Sequence, residues 1–200
     1  MQRGFFVMLR RSAVVAAVGL LGMGHPAVAQ EMPLPVGVQL AVLSQVMQFD
    51  RNFTADRDEA VIAVLYQRRS RESTAAMDEA TSVLRDELAF WFGGRPIRVV
   101  AVDVGGTDDP LALQWLMPAR TDVVYLTPLR SFDVRSISQT GRDLGILTLT
   151  GVPEYVELGI AIGLDRERGR PRILVNLEAA IAGGADLSSE LLKLARMVRS

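Results

Sequence analysis

The chain has 200 residues, 49% of them hydrophobic, with 22 basic and 23 acidic side chains, one histidine, no cysteine and a formal net charge of −1. Without cysteine, disulfides, thiolate metal sites and thiol redox chemistry are excluded. A slightly acidic balance also makes the protein a poor nucleic-acid binder.

The first thirty residues have the three parts of a secretory signal peptide: Arg3, Arg10 and Arg11, an apolar run from Ala13 to Met23, and Ala27-Val28-Ala29 ahead of Gln30. The apolar run is shorter than the roughly 20 residues that a bilayer-spanning helix needs. Processing is expected to remove residues 1–29 and, with them, His25. Residues 30–200 then form one domain with neither His nor Cys, which excludes Ser-His-Asp and Cys-His nucleophilic catalysis. The three leader arginines depart as well, so the formal charge becomes −4.

After a Pro-containing approach, Val36, Leu40, Leu43 and Met47 fall on one face of a helix. Phe49 to Phe53 closes it and admits two readings. Either the Phe pair packs inward while Asp50 and Arg51 pair at the surface, or Asp50, Arg51 and Asn52 form a polar corner lining a groove. Ala60 to Tyr66 is an apolar run that reads as a strand buried on both faces. From Ser73 to Phe92, Met77, Ala80, Leu84, Leu88 and Trp91 recur at helical spacing, and Gly93-Gly94 stops the helix. Ile97 to Val104 is a second strand and completes a βαβ unit.

The alternation continues with a short helix from about Pro110 to Leu116, a strand at Val123 to Thr127, a helix near Phe132 to Arg142 and a strand at Gly145 to Thr150. This pattern predicts an α/β fold with a mostly parallel sheet flanked by helices on both faces. Beyond Val152-Pro153, Ile160, Ile162 and Leu164, then Ile173, Val175 and Leu177, alternate on either side of the charged run Asp165 to Pro171. An antiparallel hairpin with a solvated tip follows from that. Gly163 inside a strand points to close approach of another backbone or a bulge. Ser188 caps a closing helix with Glu190 in its first turn, Lys193, Arg196 and Arg199 toward its end, and Leu191, Leu194, Ala195 and Val198 as its buried stripe.

Chemistry-bearing constellations are sparse. Gly105-Gly106-Thr107-Asp108-Asp109 lacks the spacing of either phosphate loop, and its aspartates would repel a phosphate. Thr127-Pro128 and Thr150-Gly151-Val152-Pro153 end successive strands, so they share the carboxyl edge of the sheet. There their hydroxyls and N–H groups can hold a small polar ligand or a partner's loop, or simply punctuate turns. Asp133, Asp143, Glu154 and Glu157 supply carboxylates near that edge, but nothing in their spacing pairs an acid with a base. No cofactor and no metal are implied.

The segments Arg172-Ile173-Leu174-Val175-Asn176-Leu177-Glu178-Ala179-Ala180 and Gly183 to Arg196 resemble the C-terminal signature of the YfiR-like family, a strand ending in Asn-Leu, an Ala-rich turn and a Ser-Ser-x-Leu-Leu-x-Leu-Ala helix. Thr150-Gly151-Val152-Pro153 through Gly163 is similar to the preceding family block, and Phe49-Asp50-Arg51-Asn52 resembles a corner of one branch. The resemblance implies a periplasmic, non-enzymatic α/β protein, usually a homodimer. In the best-known system such a protein represses an inner-membrane diguanylate cyclase of cyclic-di-GMP signalling by contacting its periplasmic sensor domain. The family's disulfides have no counterpart here, which places the chain in a cysteine-free branch. The residues expected to meet a partner or ligand are Asp50, Arg51, Asn52, Thr127, Thr150, Gly151, Pro153 and Asn176. The alternative is a small-ligand-binding accessory protein of a transport system.

Overall fold

Strand β1, Ala60–Tyr66, is the apolar run expected from the sequence, and it lies inside the sheet with a parallel partner on each side. The computed structural model describes residues 31–53, 58–87, 96–105, 113–114 and 116–199. The leader, the end of the helix begun at Ser73 and most of the Pro110 to Leu116 segment lie outside these residues. Within them, β2 (Ile97–Asp103), β3 (Val123–Leu126), β4 (Leu147–Thr150), β5 (Ile162–Glu167), β6 (Arg170–Val175) and β7 (Arg196–Met197) join β1 in one sheet of order β2-β1-β3-β4-β5-β6-β7. Every neighbouring pair is parallel except the β5–β6 hairpin.

Side-chain alternation along the central strands divides the core into two layers. Ala60, Ile62 and Val64 of β1, Val123 and Tyr125 of β3, and Leu147 and Leu149 of β4 face one way. They pack under α1 (Val36–Met47) and α2 (Arg71–Ser82), with Ala179, Ala180 and Leu191 from the C-terminal region. Ala63, Leu65, Val124 and Leu126 face the other way, against Val134 and Ile137 of α3 (Val134–Leu144) and Tyr155 of α4 (Pro153–Glu157). All four apolar residues expected on the inner face of α1 are buried. Ser70 caps α2 by accepting from the Ser73 N–H, and the helix widens into a π-helical segment at Val83–Glu87.

The C-terminal third departs from the expectation in three places. A turn was expected at Pro153, which instead opens α4, its fixed φ suiting a first helical position. Leu177 does not extend a strand: Asn176 accepts from the Ala179 N–H and starts α5 (Leu177–Ala182). The closing helix α6 is short, Ser189–Leu194, because Ala195 turns extended and Val198 N–H bonds Val175 O at 2.8 Å, which draws Arg196 and Met197 into β7. Leu191 alone of the expected stripe is buried, and Leu194 is 61% exposed. Gly163 makes room for a side chain rather than for the backbone or bulge expected: a Cβ there would strike Val156 Cγ2, and the strand register runs through it unbroken.

Buried polar groups hold the layers in register. Gln39, fully buried in α1, accepts from the Tyr125 hydroxyl at 2.7 Å and donates to Leu34 O at 2.6 Å. Its amide fills the space where a Cβ on Gly151 would sit. Tyr155 hydroxyl accepts from Leu129 N–H at 2.7 Å and faces Leu129 O at 3.1 Å, which pins the loop after β3 to α4. Burial raises the pKa of both tyrosines, pushing Tyr155 up to about 12 and Tyr125 higher still.

Gly151→Ala should therefore cost about 1–3 kcal/mol in urea denaturation, since the Gln39 amide would have to move. Tyr125→Phe should cost about 1–3 kcal/mol by leaving the buried Gln39 oxygen without a donor. Alkali supplies a further check. The unfolded chain ionises its tyrosines near pH 10, below the folded values, so the stabilisation is intact under pH 10 and is lost as pH rises toward about 12 for Tyr155. The urea midpoint should fall steeply above pH 10 in the wild type and less steeply in Tyr155→Phe.

Candidate functional site

The two ends of the parallel strands offer different surfaces. At the carboxyl end, Thr127 and Thr150 are both fully buried and their hydroxyls are engaged within the fold. Thr127 Oγ1 donates to Leu65 O at 2.9 Å and lies 2.7 Å from Ser73 Oγ, which in turn accepts from Gln67 N–H. Thr150 Oγ1 donates to Leu126 O at 3.2 Å and accepts from Val152 N–H at 3.1 Å. Gly151 lies against Gln39, Pro153 begins α4, and the Asn176 side chain is shared between Ala179 N–H and Val156 O. These five residues lock β1, β3, β4 and the hairpin together. A depression of about 650 Å³ beside them, between Gln67, Ser70, Glu72 and Arg130, is bridged by Gln67, whose amide both accepts from Arg130 N–H and donates to Arg130 O.

The amino end carries a cleft of about 540 Å³. The segment before β3, Pro118 to Asp122, forms one wall, and Leu144 to Leu147 at the start of β4 forms the floor. Gly183 and Gly184 after α5 and the corner Asp50, Asn52 and Phe53 after α1 close it. The corner is built by hydrogen bonds rather than by packing of a Phe pair. Asp50 is 3% exposed, and its Oδ1 accepts from the N–H groups of Asn52 and Asp186 at 3.0 and 2.9 Å. Asn52 Nδ2 donates to Gly184 O at 3.0 Å. Arg51 does not pair with Asp50; it stands outside the cleft, 3.5 Å from Asp186, with most of its side chain in water. Phe53 is buried while Phe49 is 39% exposed.

The C-terminal segment is sewn to this corner through Ser188 N–H on Phe49 O and an antiparallel bridge between Asp50 and Leu187. Ser188 then caps α6. Hydrogen bonds from its own backbone N–H and from the Ser188 hydroxyl hold the Glu190 carboxyl below its usual range, with Arg51 adding to the effect.

Chemically, the cleft is lined by backbone and by side chains already bonded to it. The Asp122 carboxylate accepts from Val61 N–H at 2.9 Å and Asp50 is committed as described, so the acids facing the cleft anchor structure. Arg120 supplies a cation to the wall and Leu144, 44% exposed, an apolar edge. Such a surface can recognise a polar group or a loop by shape and hydrogen bonds. Among the described residues no three His, Cys, Asp or Glu side chains are grouped to hold a metal ion.

Eight candidate residues from the sequence thus separate into two sets, with Asp50, Arg51 and Asn52 at the amino edge and the other five at or near the carboxyl edge. The walls at Pro118 to Asp122 and at Gly183-Gly184 were missed. Their cue was the Gly and Pro punctuation before and after regular elements, which also marks ordinary turns.

No curated protein sequence matches the chain significantly. Solved structures do share the fold. An ABC domain in complex with L-Trp from Streptococcus pneumonia aligns with TM-score 0.57 and 12% identity over 82% of this chain and 62% of that one. A conserved domain protein from Vibrio cholerae gives 0.55 and 12% over 82% and 60%. The ligand-free, open form of CD0873, a substrate binding protein with adhesive properties from Clostridium difficile, gives 0.55 and 14% over 84% and 60%. This chain spans about three fifths of the length of each, and at these identities the likeness is one of fold alone. A family model described as DUF4154, YfiR/HmsC-like, matches residues 41–196, and the protein belongs to that family.

Proposed function

We propose that the protein is a non-enzymatic periplasmic regulator that binds the periplasmic domain of an inner-membrane signalling protein, a diguanylate cyclase or a kinase. The observation that carries this reading is the family match over residues 41–196. Two features of the chain support it. The leader pattern of residues 1–29 fits export, and among the described residues no helix is long and apolar enough to cross a membrane. The mature sequence has no imidazole or thiol, and the carboxylates that face the amino-edge cleft are tied to backbone N–H groups.

A second reading, a small-ligand-binding accessory protein, is favoured by one observation, the open cleft of about 540 Å³, which falls in the size range of small-molecule sites. It places the ligand between Arg120 and Asn52.

Capture from chemically crosslinked envelopes should recover one inner-membrane protein with a periplasmic sensor domain, in amounts well above a leaderless control. Repeated recovery of no such protein would falsify the regulatory reading. For the ligand reading, a thermal-shift screen of small polar metabolites should raise the melting temperature, and Arg120→Ala should reduce the shift; a flat response across the library sinks it.

A further inference from the structure

The β5–β6 hairpin leaves the sheet as a charged arm. β5 pairs with β4 only at Ile162 and Gly163, beside the last two residues of β4, and β7 pairs with β6 only at Leu174 and Val175. The ladder from Leu164–Ile173 to Glu167–Arg170 therefore continues beyond the carboxyl edge of the sheet with no strand on either side among the described residues. Arg168 and Gly169 close it with φ of 51° and 80°, the positive-φ pair of a two-residue type I′ turn.

Neither backbone edge of the arm is suited to adding a strand. Arg166 N–H is taken by Asp165 Oδ1 at 2.7 Å, and its cross-strand partner Pro171 has no N–H to give. What the arm offers is its side chains. Arg166, Arg168, Arg170, Arg172 and the adjacent Arg196 outnumber Asp165 and Glu167 by three charges. Arg172 pairs with Glu167 and Arg196 with Asp165, both at 3.5 Å. Arg166, Arg168 and Arg170 are exposed and stand in no ion pair among the described residues.

Resting on the regulatory reading above, we infer that this arm is the docking element for an acidic protein segment, whose carboxylates pair with Arg166, Arg168 and Arg170. Guanidinium groups bind carboxylates through two parallel hydrogen bonds, which gives direction as well as attraction. Two observations favour a protein over an anionic lipid surface. No large hydrophobic side chain is exposed on the arm to enter a bilayer. Asp165 and Glu167 share a strand face with Arg170 and Arg172, while Arg166 stands on the other face opposite Pro171, a two-sided pattern that a folded partner gripping the arm can match and a fluid lipid surface cannot.

The test uses the processed chain and a fluorescein-labelled peptide of six Glu-Ser repeats, with a Lys-Ser peptide and phosphatidylglycerol vesicles beside it. Binding of the Glu-Ser peptide should weaken at least about tenfold in the triple variant Arg166→Glu, Arg168→Glu, Arg170→Glu, and should weaken with added salt. The matching triple Gln variant, judged folded by an unchanged melting temperature, should lie between. Equal binding by wild type and variants, no binding of the peptide, or arm-dependent binding of the vesicles alone would each overturn the inference. Envelope capture separates the two proposals. A signalling protein recovered by wild type and lost in the triple variant supports the arm. Equal recovery removes the arm and leaves the regulatory reading standing, whereas no recovery by wild type counts against that reading and leaves the peptide result to decide the arm.

Discussion

The geometry of the molecule hangs on one buried amide. Gln39 reaches from the first turns of α1 to the hydroxyl of Tyr125 in β3, to Leu34 O in the approach to the helix and to the glycine after β4. An uncompensated amide in that interior would cost several kcal/mol, so the four segments are brought together or the site is not formed. Because Gln39 fixes α1 at the carboxyl edge, the twelve-residue helix delivers its other end, and Asp50 with it, to the amino edge. The cleft corner is thus positioned from the opposite side of the sheet.

That arrangement gives the two edges different characters. In an open α/β sheet the carboxyl edge is the usual place for a ligand, because loops diverge there and helix N-termini point toward it. Here Thr127, Thr150, Gln67 and Tyr155 spend their hydrogen-bonding groups on Leu65, Leu126, Arg130 and Leu129. Short side chains that elsewhere would face a ligand have been turned into crosslinks between loops. The carboxyl edge is therefore closed by the protein's own hydrogen bonds. At the amino edge the cleft of about 540 Å³ is walled by the segments before β3 and β4 and by the Asp50 corner.

Much of the sheet was legible from composition and spacing. Ala60 to Tyr66 is seven mostly apolar residues between polar flanks, too short for a typical buried helix and suited to a strand covered on both faces, and its bounds are those observed. Val36, Leu40, Leu43 and Met47 announce α1 by spacing alone. The errors cluster where a long-range bond overrides a local preference. Leu191 to Val198 carries helical periodicity, yet Val175 O captures Val198 N–H and the chain straightens into β7. The Phe49 to Phe53 corner was ambiguous because Asp50 has a natural local partner in Arg51, whereas its actual partners include the N–H of Asp186, far along the chain. At Thr127 and Thr150 the residue type was informative and the direction of its hydroxyl was not, since that depends on the strand alongside.

Charge follows the same division between local and global. The chain as a whole is slightly acidic, whereas the arm beyond the carboxyl edge carries, with the adjacent Arg196, five arginines against two carboxylates. Separation of sign along one molecule produces a dipole that orients it during a diffusional encounter, at distances comparable to the Debye length of roughly 8–10 Å. A partner bearing negative charge would meet the arm before it meets the acidic body, and the body would resist any other approach. The narrow, turn-locked tip then limits the entropy lost when the contact forms, because its backbone is already ordered. Orientation by repulsion from the body and attraction at the arm is a form of specificity that needs few contacts.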